Sequence, residues 1–277
     1  MAGITIFGIT GRMGQTLVRA LREAPGDATP GDAAVLPHLI GAVASAASSR
    51  LGQDAAADGA ATGVRITSDA RLALCSASVA IDFSLPHCVA ANVQACVQAK
   101  VPLLVGTTGY DAATRAALAA AAAVIPVLIA PNTSVGVNVV ARLVKLATRG
   151  LGPAYDVEIT EAHHRMKRDA PSGTALALGG VVADARGQKL QDVAVFDRHG
   201  RFEPRAPGAI GFAVVRAGDI VGEHTVTFAI AGERVEITHR ATDRITFARG
   251  ALLAAAWLTG RPNGLYAMDD VLGMEQP

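Results

Sequence analysis

At 277 residues the chain has room for two domains of the usual ~100–200 residues each and for a sizeable buried core. Apolar residues make up 51% and aromatics only 4%, so that core must be built from Ala, Val, Ile and Leu. A net charge of +1, with no Lys/Arg stripe interleaved with aromatics, excludes a nucleic-acid-binding surface and points to a small-molecule substrate.

The first expected strand is Ile4–Phe7, and the apolar run around it, Ile4 to Ile9, has no basic start and no cleavage site, so it does not read as a signal peptide. It is followed by a helix over Met13–Ala24. The segment "PGDATPGDAAVLPH", Pro25–His38, is rich in Pro and Gly and reads as a surface loop. Further strands are expected at Leu39–Ala44, Val79–Phe83, Leu103–Val105 and Val127–Ile129, with helices at His87–Ala99 and Asp111–Ala123. Alternation of β and α at this spacing predicts a Rossmann-like, doubly wound parallel sheet. The alanine-rich stretch Ala116–Asn132 is broken by Pro126 and falls short of the ~18 apolar residues of a membrane span, so no membrane is expected. Cys75, Cys88 and Cys96 cannot all pair and lack metal-ligand spacing. They read as small buried residues in a reducing compartment, which points to the cytoplasm.

After Asn132 the pattern changes. "VGVNVVARLVKLATRG" predicts a helix ending at Gly150, and the alternating "YDVEITE" a strand. Ser172 is placed to cap a second helix, "GTALALGGVVADA". Residues 211–242 read as three strands joined by turns at Ala217-Gly218-Asp219 and Ala231-Gly232-Glu233, which makes an α+β domain with an open, largely antiparallel sheet. "FARGALLAAAWLTG" is a last helix. The expected division is a dinucleotide-binding domain over 1–132, a second domain over 133–244, and a return to the first domain over 245–277.

Two motifs carry chemistry. "GITGRMG", with Gly8, Gly11 and Gly14, stands between the first strand and first helix, where backbone N–H groups and the helix dipole attract a pyrophosphate. The second expected strand runs into "SAASSRLGQD" and offers Ser45, Ser48, Ser49 and Arg50 but no carboxylate before Asp54. That leans toward NADPH over NADH. "EAHHRMKRDAPSGTA", residues 161–175, gathers charge in a chain that is only 18% charged. Its His163-His164 pair lacks metal spacing, and no nucleophile elbow is present. The order imidazole, lysine, helix N-terminus instead describes a proton donor beside a carboxylate pocket made by Lys167 and the N–H groups of Gly173 and Thr174.

These motifs, with "VGTTGY", "APNTSVGVNVV" and "GFAVVRAGDIVGEHTVTF", resemble the successive motifs of the 4-hydroxy-tetrahydrodipicolinate reductase (dihydrodipicolinate reductase) family of lysine and diaminopimelate biosynthesis, from Ile4 to near Val271. The resemblance implies NADH or NADPH as cofactor, a cyclic dicarboxylate substrate, and a homotetramer, with residues 133–244 as the substrate-binding and oligomerisation domain. It implies that His163 is the general acid, Lys167 its catalytic partner, and His164, Gly173 and Thr174 substrate ligands. It also implies a pyrophosphate loop of Gly8, Ile9, Thr10, Gly11, Arg12 and Met13. Gly106, Thr107 and Thr108 with Ala130, Pro131, Asn132 and Thr133 would line the nicotinamide side. The acidic residue that holds the adenosine ribose in the family falls at Ser45 here, and "AANFS" reads "APNTS". An aspartate or diaminopimelate dehydrogenase would share the glycine loop without needing the His163–Lys167–Gly173 arrangement. A dinucleotide sensor would need only the loop.

Overall fold

The computed structural model describes residues 3–23, 37–200 and 202–274. The chain divides into two compact units, one of residues up to Val135 and from Arg244 on, the other of Gly136–Asp243.

The first unit opens with β1 (Gly3–Phe7), α1 (Arg12–Arg22), β2 (His38–Val43), β3 (Ile66–Thr67), α2 (Ala70–Leu74), β4 (Val79–Asp82), α3 (Val89–Ala99), β5 (Leu103–Val105), α4 (Ala112–Ala121) and β6 (Pro126–Ile129). The helix expected from His87 begins as a 3-10 turn, Pro86–Cys88, with proline at its start, and becomes α-helical at Val89. Of the Pro25–His38 loop, residues 25–36 lie outside the described residues, as does Ala24, and His38 already belongs to β2.

The second unit holds α5 (Val135–Leu151), which starts at the boundary, then β7 (Asp156–His163), α6 (Gly173–Ala185), α7 (Leu190–Val193), β8 (Ala194–Val195), β9 (Ile210–Arg216), β10 (Gly222–Ile230) and β11 (Glu233–Ala241). The chain then returns to the first unit with α8 (Ile245–Leu258), β12 (Gly264–Tyr266) and α9 (Met268–Val271).

In the first unit the strand order is β12-β6-β5-β4-β1-β2-β3, with every pairing parallel. Both faces of this sheet are buried, as a parallel sheet requires. Ile4, Ile6, Ile81, Leu104 and Leu128 pack with α1 and α8 on one side. Phe7, Val43, Leu103, Val105 and Val127 pack with α2, α3 and α4 on the other. The order reverses at β1, where the chain goes outward to β2 on one side and β4 on the other. Ligands of such sheets bind beyond the carboxyl ends of the strands at that reversal.

The sheet of the second unit has the order β11-β10-β7-β9-β8. It is mixed: β10 pairs antiparallel with both β11 and β7, whereas β9 pairs parallel with β7 and β8. The three strands read from residues 211–242 are therefore not a simple meander. β7 inserts between β9 and β10 and satisfies both of its own edges there, and the turn after β9 crosses the end of β7. Ala217 N–H donates to the His163 carbonyl (2.9 Å) and Arg165 N–H to that of Gly218 (3.2 Å). One face of the sheet packs α5 and α6 through Val144, Leu178, Val182, Val157, Ile159, Val226 and Phe228.

Candidate active site

In the first unit a cavity of about 580 Å³ lies at the sheet reversal. Phe7, Gly8, Thr10 and Gly11 line it from the end of β1, Ala44, Ser45 and Ala46 from the end of β2, and Phe83, Ser84 and Leu85 from the end of β4. Gly8 has φ 78°, and a Cβ there would stand 2.4 Å from the Phe83 carbonyl oxygen. A Cβ on Gly14 would stand 2.5 Å from the carbonyl oxygens of Gly8 and Ile9. Both obstacles are backbone, so only glycine fits at either position. Gly8 N–H (3.0 Å) and Ile9 N–H (3.2 Å) both donate to the Val43 carbonyl, which ties the loop to β2. Gly11 at the N-cap of α1 offers no side chain to the first-turn N–H groups. Such a cradle of backbone donors at a helix start fits a dinucleotide pyrophosphate.

The other expected cofactor residues sit at the same end of the sheet in different surroundings. Ile9 is fully buried in the core, Met13 packs against that core, and Arg12 is exposed on the first turn of α1. After β5, Gly106 packs so closely on the Phe83 ring that a Cβ would lie 2.2 Å from it. The Thr107 hydroxyl donates to buried Asp82 (2.9 Å), and Thr108 is exposed. After β6, Ala130 is buried and Pro131 exposed. Asn132 accepts from Ser134 N–H through Oδ1 (2.9 Å), and the Thr133 hydroxyl donates to the Phe247 carbonyl (2.7 Å). Of the expected set, Gly8, Thr10, Gly11 and Ser45 line the cavity, while Phe83, Ser84, Leu85, Cys88 and Asn92 line it without having been expected. Their signal was available, because they follow β4, the strand across the reversal from β2.

Arg50, the residue behind the lean toward NADPH, is engaged elsewhere. Its Nη2 donates to the carbonyls of Asp54 (2.9 Å) and Ala56 (2.8 Å), and it does not line the cavity. Asp54 in turn accepts from the N–H groups of Ala56, Thr62 and Gly63 and from the Thr62 hydroxyl. These bonds hold its carboxyl down at about 2.

In the second unit His163 ends β7, buried at 8% exposure. Glu161, two residues back on the same face of the strand, is 1% exposed. Its Oε2 meets His163 Nδ1 at 2.6 Å and accepts from Arg216 Nη1 at 2.7 Å. Its Oε1 accepts from Arg216 Nη2 at 2.7 Å and from Ser172 N–H at 2.9 Å. Arg216 stands opposite His163 in the β7–β9 ladder, and His224 opposite Glu161 in the β7–β10 ladder. The His224 ring meets that of His163 edge-on at 5.1 Å, and its Nε2 lies 2.9 Å from Ser172 Oγ. Ser172 Oγ caps α6 by accepting from Ala175 N–H (3.1 Å).

Burial pushes the His163 imidazole below its ordinary range, and the charges of Lys167 and Arg216 add to that, against the pull of Glu161. His224 is driven down to about 4, chiefly by burial and then by the charge of His163. Lys167 Nζ lies 2.9 Å from Asp169 Oδ2. Burial raises the Asp169 carboxyl, but Lys167 and the Gly173 N–H at the start of α6 outweigh it and hold it below the usual carboxylate range. His164, half-buried, follows His163, and its carbonyl accepts from Lys167 N–H (3.0 Å). Gly173 and Thr174 form the first turn of α6. The structure thus gathers Glu161, His163, Lys167, Asp169, Ser172 and Gly173 in one neighbourhood. It adds Arg216 and His224, which only strand pairing brings there.

The N-terminal model of dihydrodipicolinate reductase matches residues 2–133, and the C-terminal model residues 136–272. The 4-hydroxy-tetrahydrodipicolinate reductase of Thiobacillus denitrificans is 50% identical over 98% of this chain and 98% of its own. That of Anaeromyxobacter dehalogenans strain 2CP-1 is 49% identical over 99% and 98%. Among solved structures, the dipicolinate-bound dihydrodipicolinate reductase from Paenisporosarcina sp. TG-14 shares the fold with a TM-score of 0.73 at 23% identity, over 96% of this chain and 97% of that one. With two family models taking in nearly the whole sequence and relatives half identical along it, the chain belongs to the dihydrodipicolinate reductase family.

Proposed function

We infer that the chain reduces 4-hydroxy-tetrahydrodipicolinate to tetrahydrodipicolinate with NADH or NADPH, in lysine and diaminopimelate biosynthesis. Its family membership and its half-identical relatives of that activity support the reading. The observation that carries the chemistry is a buried imidazole, His163, within the field of the Lys167 ammonium, in the segment that opens helix α6.

Gly8, Thr10, Gly11 and the first turn of α1 would hold the dinucleotide pyrophosphate, and Ser45 would serve the adenosine ribose. The bound reduced nicotinamide supplies the hydride. Lys167 and the N–H groups of Gly173 and Thr174 hold the substrate carboxylates, with His164 as a further ligand, and thereby fix the ring for attack. Once water has left the hydroxylated ring and hydride has entered its conjugated carbon, the displaced electron pair takes a proton from His163. A bound dianion would oppose the lowering that burial imposes on the His163 imidazole. This work is assigned to the cytoplasm. The same reading includes a homotetramer formed through the second unit.

The test is turnover of freshly generated 4-hydroxy-tetrahydrodipicolinate, followed by loss of reduced-nicotinamide absorbance. Oxidation of the coenzyme by that substrate is expected. Turnover with an amino acid such as aspartate in its place would assign the chain to a different dehydrogenase.

A further inference from the structure

Glu161 is nearly inaccessible to solvent, yet its four bonds all come from donors. Arg216 has no acceptor to offer and the Ser172 backbone N–H is a donor only, so three of the four hydrogens are fixed by chemistry. These three hydrogens, two of them from a bidentate guanidinium, keep the carboxylate ionised in a place where it would otherwise be strongly disfavoured, and the pull of these bonds holds its carboxyl below the usual range despite burial. An ionised carboxylate can only accept, so the fourth hydrogen sits on His163 Nδ1. Nε2 is then the only nitrogen of that ring free to gain and lose a proton. A second observation agrees. A Cβ on Gly222 would stand 3.0 Å from His163 Nε2, and the absence of one leaves that nitrogen uncovered by β10.

We propose that Glu161, clamped by Arg216, is the positioning residue for His163: it holds the imidazole in the Nδ1–H form so that every proton the ring delivers leaves from Nε2. The same carboxylate accepts the backbone N–H of Ser172, the N-cap of α6, so one buried anion ties the proton donor to the helix start that binds the substrate carboxylates. The groups facing His163 are Glu161 on its own strand, Lys167 in the following loop, Arg216 on β9 and His224 on β10. Of these only Glu161 is negative. Its charge is what keeps protonation of His163 within reach of neutral pH.

The proposal rests on His163 as the proton donor, and the test separates the two. Imidazole 15N spectra of the folded wild-type protein, with His163 assigned by comparison with His163→Ala, are expected to give the Nδ1–H form above its titration. An Nε2–H form would overturn the proposal, whatever the variants do. In Glu161→Gln the alkaline limb of kcat against pH should move to lower pH by about one unit or more, the usual effect of losing an adjacent opposite charge. That lowers turnover about tenfold at pH values above the limb. Glu161→Asp, which keeps the charge, should return the limb toward wild type. Should Glu161→Gln leave Arg216 unpaired and fail to fold, Glu161→Gln/Arg216→Met removes both charges of the pair. There the tautomer measurement should give a mixture of the two forms. An unchanged limb and unchanged tautomer in a folded Glu161 variant, with His163→Ala inactive, would overturn the positioning role and leave the donor standing. Near-normal turnover in His163→Ala would instead remove the donor reading itself.

Discussion

The Asp169 carboxylate lies 2.9 Å from the Lys167 ammonium, a donor assigned to a substrate carboxylate. An internal anion thus occupies the seat proposed for an external one. Asp169→Asn removes this competitor. The pair is partly exposed, so the contact is worth about 0.5–1 kcal/mol, and KM for the dicarboxylate should fall about two- to fivefold with kcat little changed. A higher KM in this variant would mean that Asp169 helps to hold the substrate.

His163 and Lys167 should fail in different ways. His163→Ala removes the proton donor, so kcat should drop ~10²–10⁴-fold with little change in KM. Lys167→Ala loses a charged hydrogen bond worth ~1.5–3 kcal/mol, so KM should rise, and kcat should fall as well because the ring is less well oriented. Steady-state kinetics of the two folded variants decides this. Equal KM values would remove Lys167 from carboxylate binding.

His224 makes stability sensitive to acid. Its pKa is about 4 in the folded chain against 6.5 for the free group, so the unfolded chain binds the extra proton between those values. Stability is therefore full above about 6.5 and declines as pH falls toward 4, with roughly 3 kcal/mol lost from this group. Urea unfolding at pH 7 and pH 4 measures the loss. His224→Gln keeps an acceptor for Ser172 without the titration, and should show a smaller difference between the two pH values. An equal difference in both proteins would place the acid sensitivity elsewhere.

Coenzyme choice should follow Ser45 rather than Arg50. Ser45 lines the cavity without a carboxylate to repel a 2′-phosphate, so NADPH should be used at least as well as NADH. Ser45→Asp should shift kcat/KM toward NADH by more than about tenfold, or about 1.4 kcal/mol. Arg50→Ala, which loses only bonds to the carbonyls of Asp54 and Ala56, should lower thermal stability and leave the coenzyme ratio in place. A large loss of NADPH preference in Arg50→Ala would restore that residue as a phosphate ligand.

Much of this protein could be read from local sequence alone. The glycines of "GITGRMG" sit between a β-branched run and a helical one, and the periodicities of residues 103–105, 127–129 and 173–185 locate elements because each buries its own apolar face. The capping of α6 by Ser172 is equally local, since a hydroxyl needs only the N–H three residues ahead. Glu161 and His163, two apart on a strand, were bound to share a face. What gave each of them its cross-strand partner was not local. Arg216 and His224 reach them only because β7 inserts between β9 and β10, a choice made by which strand edges find partners rather than by any residue pattern. β12, three residues long, likewise exists only because β6 offers it a free edge. The chemistry of Arg50 was also settled in space. Its charge was visible in the sequence, but the nearby carbonyls of Asp54 and Ala56 took its donors, and only the folded loop could bring them within hydrogen-bonding distance.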